Sequence, residues 1–225
     1  MKIAILVEGA TEMAFREKLR EFLQSRLQKM PKLRFIPQDG GIPKERDLKR
    51  LVENLLDNDG YDAVIALTDV YTGKPDFKDA NDAKEKMRTW VGKNPKFYPH
   101  TASHDFEAWL LPYWTTIQKL AKHNLSAPSG SPETVNHQKP PSYWIKEIFS
   151  SGKRGKDYNK VIDGMAILKN NDLMIAIKAC PELKAFVNRI ISLCYEEKII
   201  SLRKTRSLLI TLIIKEVGYL GVLFF

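Results

Sequence analysis

Acidic residues stand where predicted strands end, and carboxylates in such positions can hold a metal ion. Glu8 and Asp69 each follow directly on an apolar run, and Asp105 and Glu107 come shortly after a further predicted strand. Neighbouring carboxylates repel one another unless a cation or a shared proton neutralises them. Oxygen ligands suit a hard divalent ion, and Mg²⁺ or Mn²⁺ is the usual choice for phosphate chemistry. The pattern therefore predicts a Mg²⁺ or Mn²⁺ site.

Glu12 is the fifth acidic candidate, and its position allows two roles. Gly9 gives the backbone freedom to turn after Glu8, and Thr11 is a residue type that caps helices. Glu12 would then lie in the first helical turn, where a carboxylate complements the helix dipole without any further function. The alternative is that Glu12 joins Glu8 as a metal ligand.

The elements that must position these acids alternate between strand and helix. Apolar runs predict strands, and large apolar residues at helical spacing predict the intervening helices. The predicted strands are 2–7, 33–37, 63–68 and 96–101, and the predicted helices are 11–30, 44–56, 79–90 and 105–121. This order predicts an α/β fold with a small parallel sheet flanked by helices. Its functional edge would be the carboxyl ends of the strands.

The chain divides by composition into four parts. Residues 1–122 form the predicted α/β core, and residues 123–141, dense in Ser, Pro, Asn and Gly, form a loop or lid. Residues 142–195 form a helical part that completes the same domain. Residues 196–225 are an apolar tail, which we expect to pack as an added element or to mediate self-association, unless it is an altered C-terminus with no evolved role.

The charge balance favours a polyanionic partner. Lys and Arg number 36 against 27 Asp and Glu, which gives a net charge of +9. We expect the positive charge to concentrate near the acidic edge, chiefly through Lys153, Arg154, Lys156 and Lys160, with the first three contacting phosphates. The alternative for this basic run is an ordinary solvated loop.

Other features of the sequence bear on where the protein is found. The N-terminus lacks the pattern of a signal peptide, and the two cysteines form no metal or disulfide pattern, so a reducing cytoplasm is expected. Lys215 and Glu216 interrupt the apolar tail, so no stable membrane insertion is expected.

Three segments in order resemble the TOPRIM domain: LVEGATEMAF at 6–15, LTDVYTG at 67–73 and HDFEAWLL at 104–111. The closest resemblance is to a bacterial family of unknown function in that clan, related to the nuclease domains of OLD and RloB proteins. YNKVIDG at 158–164 and CPEL at 180–183 resemble the C-terminal part of the same family. The resemblance covers about residues 1–193.

The resemblance implies a parallel sheet whose metal-binding acids cut or join phosphodiester bonds. Glu8 matches the TOPRIM glutamate that serves as metal ligand or general acid/base, and Glu12 matches the second acid of the EGxxE element. Asp69 matches the first acid of the DxD element, and Glu107 matches the glutamate of the FExWLL element. Lys160 aligns with a lysine that could stabilise the charge developing on a phosphate.

One residue departs from the TOPRIM pattern. Tyr71 stands where many TOPRIM domains have a second aspartate, which puts a two-metal site in doubt unless Asp105 or Asp76 substitutes. Tyr71 could stack on a base or bond a phosphate, or it could be an ordinary exposed loop tyrosine.

Two functions from different classes follow from these patterns. The first is a Mg²⁺- or Mn²⁺-dependent nuclease, acting on DNA in preference to RNA, in an anti-phage or DNA-processing system. The second is a catalytically weak module that binds nucleic acid or a partner and works with a separate ATPase. The joint presence of the acids favours the first function, and Tyr71 favours the second.

Overall fold

The computed structural model describes residues 1–38, 40–70, 76–134, 139–152 and 157–195, apart from the side chains of residues 10 and 11. Four residues with a predicted role lie outside the described residues: Tyr71, Lys153, Arg154 and Lys156. The apolar tail 196–225 also lies outside them. The expected contacts of these residues, and the expected gathering of positive charge around the acidic edge, therefore stay predictions.

Strands and helices alternate through the first half of the chain, and helices make up the second. The strands are β1 (Lys2–Val7), β2 (Lys32–Pro37), β3 (Ala63–Val70) and β4 (Phe97–Ser103). The helices are α1 (Ala10–Gln24), α2 (Glu45–Glu53), α3 (Ala80–Trp90), α4 (Trp114–Ala121), α5 (Pro141–Ser151), α6 (Lys160–Lys169), α7 (Leu173–Ala179) and α8 (181–195). A π-helical turn, Asn54–Asn58, extends α2.

The four strands form one all-parallel sheet in the order β2-β1-β3-β4, which confirms the predicted fold class. All eight residues of β3 are buried, and so are the last five of β1. Strands that carry apolar side chains on both faces can be buried only between two layers of helices, so the continuous apolar runs dictate this arrangement. The helices α5 to α8 form the predicted helical C-terminal part.

The strand order creates a switch point between β1 and β3. From β1 the chain first crosses to β2 on one side, then returns past β1 to β3 and β4 on the other side. In open parallel sheets a crevice forms at the carboxyl ends of the strands where the crossovers diverge, and ligands bind there. Glu8 and Asp69 lie at the carboxyl ends of β1 and β3, the two strands that flank this point.

The segment after β4 differs from the predicted continuous helix 105–121. It forms two short 3₁₀ turns, Phe106–Trp109 and Leu111–Tyr113, before the regular helix α4 begins at Trp114. Pro112 lies in the second turn and has no N–H with which to continue an α-helical ladder. All four residues of the first turn are buried, so Glu107 lies inside the protein and not on an exposed helical face.

An aromatic cluster packs the first 3₁₀ turn against α1 and α8. Phe106 and Trp109 lie with their ring centroids 5.7 and 5.8 Å from that of Phe15 in α1. Trp109 also packs against Phe186 of α8, at 6.0 Å between ring centroids. Buried aromatic pairs of this kind contribute about 0.5–1.5 kcal/mol each beyond their area burial. The cluster therefore holds rigidly the turn that carries Glu107.

The chain separates into two compact units, Met1–Val187 and Asn188–Phe225. The described part of the second unit, 188–195, is helical. Within the described ranges, no helix combines the length and the apolar character needed to cross a bilayer.

Candidate functional site

Glu8 links the carboxyl ends of β1 and β3. The β1–β3 register pairs Val7 with Leu67, so Glu8 comes opposite the next residue, Thr68. Glu8 Oε1 accepts hydrogen bonds from the hydroxyl of Thr68 and from the backbone N–H of Asp69, at 2.9 Å for the latter. These bonds fix one oxygen of the carboxylate and hold Glu8 beside Asp69, as the strand ends predicted.

Glu12 lies in the first turn of α1, which begins at Ala10, so that Gly9 and not Thr11 occupies the cap position. Glu12 Oε2 accepts a hydrogen bond of 3.2 Å from the backbone N–H of Gly9, which is one half of a capping box. Burial raises the pKa of Glu12, and the negative charges of Glu8 and Glu107 raise it further. Glu12 thus caps its helix and also faces the other acids.

Asp69 lies at the centre of the acidic group. Burial raises the pKa of Asp69 well above its ordinary value, and four neighbouring carboxylates add to the rise: Glu8, Glu12, Asp105 and Glu107. The side chain is only 9% exposed, so little water screens this repulsion. Burial and repulsion thus disfavour the charged form of Asp69, which a nearby positive charge would stabilise.

Asp105 is fully buried and is held by α5. Its Oδ2 accepts a hydrogen bond of 3.1 Å from the backbone N–H of Ser142, while its Oδ1 is buried without a hydrogen-bond partner among the described residues. Burial, followed by the charge of Glu107, raises the pKa of Asp105 to about 6. A buried carboxylate oxygen without a partner is costly, and a bound cation would satisfy it.

Glu107 is fully buried and pairs with Lys160. Lys160 Nζ lies 3.2 Å from Glu107 Oε1, outside hydrogen-bonding geometry, and donates to Glu107 Oε2 at 3.5 Å. Burial alone would lower the pKa of Lys160, but Glu107, followed by Asp105 and Asp69, raises it, so the ammonium stays charged. A charged lysine at the rim of the acidic group can contact an anionic substrate.

Two contacts position the helix that carries Lys160. Asp163 accepts a hydrogen bond of 2.7 Å from the backbone N–H of Asn159, the cap residue of α6. The helix α6 also packs against α1. Together these contacts orient the first turn of α6, which carries Lys160 towards Glu107.

His104 precedes Asp105 and has a backbone φ of 71°, in the left-handed region that residues other than glycine rarely adopt. Its Nδ1 atom is buried without a hydrogen-bond partner in the described part of the chain. Burial lowers the pKa of His104, so the imidazole is neutral at pH 7. The turn at His104 takes the chain out of β4 and into the 3₁₀ turn of Glu107.

The donor set suits a hard divalent ion. The donor atoms are carboxylate oxygens, and some of them are buried without a hydrogen-bond partner among the described residues. Mg²⁺ and Mn²⁺ prefer oxygen ligands of this kind. Within the described residues, however, no group of three or more His, Cys, Asp or Glu side chains is placed to hold a metal ion. Mg²⁺ commonly takes only one or two carboxylates and completes its shell with water and substrate phosphate, so the arrangement fits such an ion. The candidate ligands are Glu8, Glu12, Asp69, Asp105 and Glu107, of which one or two would bind the ion directly.

Glu133 is a buried carboxylate that the sequence analysis missed. It belongs to the loop between α4 and α5 and accepts hydrogen bonds from Trp109 Nε1 at 3.0 Å and from the backbone N–H of Glu182 at 3.0 Å. It therefore ties the loop both to the 3₁₀ turn of Glu107 and to the first turn of α8. Such a contact leaves no local pattern, because its partners lie 24 and 49 residues away.

We expect Glu133→Ala to lower the free energy of unfolding by about 1–3 kcal/mol, because it leaves the buried Trp109 N–H and a helix N-terminus unsatisfied. Urea unfolding monitored by tryptophan fluorescence measures this loss. Glu21→Ala, in α1, is the matched control, because the Glu21 side chain is 70% exposed and its ion pair with Lys18 is screened by water. Equal stability of Glu133→Ala and the wild-type protein would contradict the assigned role.

Comparison with known proteins places the sequence in a family. Residues 7–191 match the model of a family described as a domain of unknown function, DUF4276. No curated protein is significantly similar to the sequence. A solved structure, the C-terminal region of the Burkholderia pseudomallei OLD protein, is similar with a TM-score of 0.47 at 11% identity, covering 85% of this chain and 98% of that chain. That likeness is too distant to support an argument about activity, whereas the family match spans most of the 225 residues. The chain belongs to the DUF4276 family.

Proposed function

We propose that the protein is a Mg²⁺- or Mn²⁺-dependent nuclease that hydrolyses phosphodiester bonds at a TOPRIM-type carboxylate site. The observation that carries this proposal is the position of the acids. Glu8, directly after β1, contacts Asp69 at the end of β3, and the charges of Glu8, Glu12, Asp105 and Glu107 all raise the pKa of Asp69 at this carboxyl edge of the sheet. Acids that repel one another so strongly are retained where a cation neutralises them.

Each part of the site has a role in this reaction. A divalent ion held by these acids would polarise the scissile phosphate and lower the pKa of an attacking water. Glu8 or Glu12 takes the proton from that water as general base. One or two of Asp69, Asp105 and Glu107 hold the ion, and Lys160 stabilises the negative charge that develops on the phosphate. Hydrogen bonds from Thr68 and Asp69 keep Glu8 oriented throughout.

The proposed substrate is nucleic acid, with DNA preferred to RNA. The net charge of +9 supports a polyanionic partner, and the resemblance of the EGATE, TDV and FEAWLL segments to TOPRIM nucleases supports phosphodiester chemistry. The proposed setting is a cytoplasmic anti-phage or DNA-processing system. The proposed partners are a separate ATPase and a second copy of the chain, which would associate through the tail 196–225.

A second function is favoured by one residue. Tyr71 replaces the second aspartate of the DxD element, and a site short of one ligand would bind nucleic acid or a partner protein without efficient cleavage. The protein would then act as a recognition module beside an ATPase.

Cleavage of labelled single- and double-stranded DNA and RNA, in Mg²⁺ or Mn²⁺ and in EDTA, tests both functions. We expect cleavage of DNA that depends on the metal and disappears in EDTA. Tight binding without cleavage in either metal would overturn the nuclease and favour the recognition module. Cleavage that persists in EDTA would contradict the metal-dependent mechanism.

A further inference from the structure

A small cavity lies beside the acids, on the side of the sheet edge nearest β2. Glu8, Thr68 and Asp69 form one wall of it. The opposite wall comes from the loop between β2 and α2, at Gly40, Gly41 and Lys44, and from Asp76 and Phe77 ahead of α3. One wall is therefore acidic and belongs to the proposed catalytic centre, while the other carries a lysine.

The size of the cavity limits what it can hold. Its volume is about 110 Å³, well below the range of roughly 300–1,000 Å³ found for sites that enclose whole small-molecule ligands. It holds several waters or one phosphate group, but not a nucleoside. At Gly40 and Gly41, an added Cβ would meet nothing within 4 Å, and both residues have positive φ, at 93° and 128°. The glycines leave this wall open to a group that approaches the backbone closely.

Lys44 supplies the positive charge in the lining of the cavity, and its ion pair with Asp76 is weak enough to be replaced. Lys44 Nζ lies 2.7 Å from Asp76 Oδ1, and the two side chains are 51% and 39% exposed. An ion pair this exposed contributes between zero and about 1 kcal/mol, because water screens it. A phosphate would offer Lys44 a more strongly charged partner, inside the cavity that Glu8 and Asp69 line from the other side.

We propose that this cavity is a subsite for a single backbone phosphate of the nucleic acid, next to the cleaved bond. Lys44 would leave its ion pair with Asp76 and bind this phosphate instead. The proposal rests on the proposed function, since it identifies how the same site takes its substrate. Asp76 then competes with the phosphate for Lys44 and pairs with the lysine in the protein free of nucleic acid.

Binding of a short fluorescein-labelled DNA, measured by anisotropy in Ca²⁺ from about 50 to 200 mM salt, tests the subsite in the full-length protein. We expect Lys44→Ala to weaken binding about tenfold and to reduce the dependence on salt by about one phosphate contact. Asp76→Asn should strengthen binding about three- to tenfold, because it releases Lys44. When Asp76→Asn is combined with Lys44→Ala, it should no longer strengthen DNA binding.

Lys49→Ala is the matched control. Lys49 lies one turn into α2 with a side chain 50% exposed, and it pairs with Glu53 at 3.9 Å, away from the cavity. Its removal lowers the net charge by the same amount and should leave the affinity within about twofold of the wild type. If Asp76→Asn strengthens binding equally with and without Lys44, the effect is general electrostatics and the exchange is wrong.

The remaining outcomes separate this proposal from the proposed function. If the wild-type protein cleaves DNA and Lys44→Ala binds DNA as tightly as the wild type, the subsite proposal is wrong and the nuclease proposal stands. Binding that depends on Lys44 in a protein that never cleaves supports the subsite and overturns the nuclease. If inorganic phosphate binds the cavity and DNA does not compete with it, the cavity is a site for free phosphate and the subsite proposal is wrong. A protein that binds no DNA overturns both proposals.

Discussion

Asp69→Asn is expected to reduce metal-dependent cleavage by at least about 100-fold, because the substitution removes the acid on which the charges of the other four converge. The amide keeps the shape of the carboxylate, so the buried end of β3 should remain packed. In EDTA the variant should be at least as stable as the wild-type protein, since a buried like-charge contact is gone. Rates of cleavage of labelled DNA and thermal unfolding in EDTA measure the two effects.

Asp62→Asn is the matched control for this experiment. Asp62 precedes the opposite, amino end of β3, where it accepts a hydrogen bond of 2.6 Å from the backbone N–H of Lys2 and is exposed. The same change of one charge on the same strand should leave cleavage within about twofold of the wild type. Glu8→Gln should lose activity as Asp69→Asn does. Full activity of Asp69→Asn would place the chemistry elsewhere.

The metal-free protein should lose stability as the pH rises through about 6. Burial raises the folded-state pKa of Asp105 from 3.8 to about 6, so the folded state binds a proton that the unfolded chain has already released. Stability from this group is thus complete below about pH 4 and is lost between about pH 4 and 6, by roughly 3 kcal/mol. The raised pKa values of Asp69 and Glu12 act in the same direction.

Urea unfolding in EDTA at pH 5 and at pH 8 measures this loss. Mg²⁺ should restore stability at pH 8 far more than at pH 5, because the ion replaces the protons that the acids release. Asp105→Asn should flatten the pH profile, since the amide does not titrate. A metal-free protein that is more stable at pH 8 than at pH 5 would contradict the buried acidic group.

The strands and their order of connection were predictable because both depend on local pattern. The buried run of β3 reads as unbroken apolar sequence, and parallel strands bring their carboxyl ends to one edge. The adjacency of Glu8 and Asp69 followed from that rule alone, and the structure has the two residues in hydrogen-bond contact. Their role as metal ligands stays a prediction.

The parts that sequence pattern missed depend on contacts between distant residues. The 3₁₀ turn of Glu107 was predicted as regular helix, because its apolar residues match helical spacing and only Pro112 signals the break. The ion pair of Glu107 with Lys160 joins residues 53 apart, and no periodicity encodes it. The docking of Glu133 likewise depends on the completed packing of α8.

The strand pairing also sets when the acids can meet during folding. Every strand pair is parallel and joins residues far apart in sequence, with Lys2 beside Lys32, Ile3 beside Ala63 and Val64 beside Phe97. The chain has no hairpin in this sheet to serve as a local nucleus, and folds dominated by such distant contacts form slowly. The contact of Glu8 with Asp69 spans 61 residues and forms only when β1 pairs with β3. Metal binding should therefore arise in the last kinetic phase of refolding and report the completed sheet.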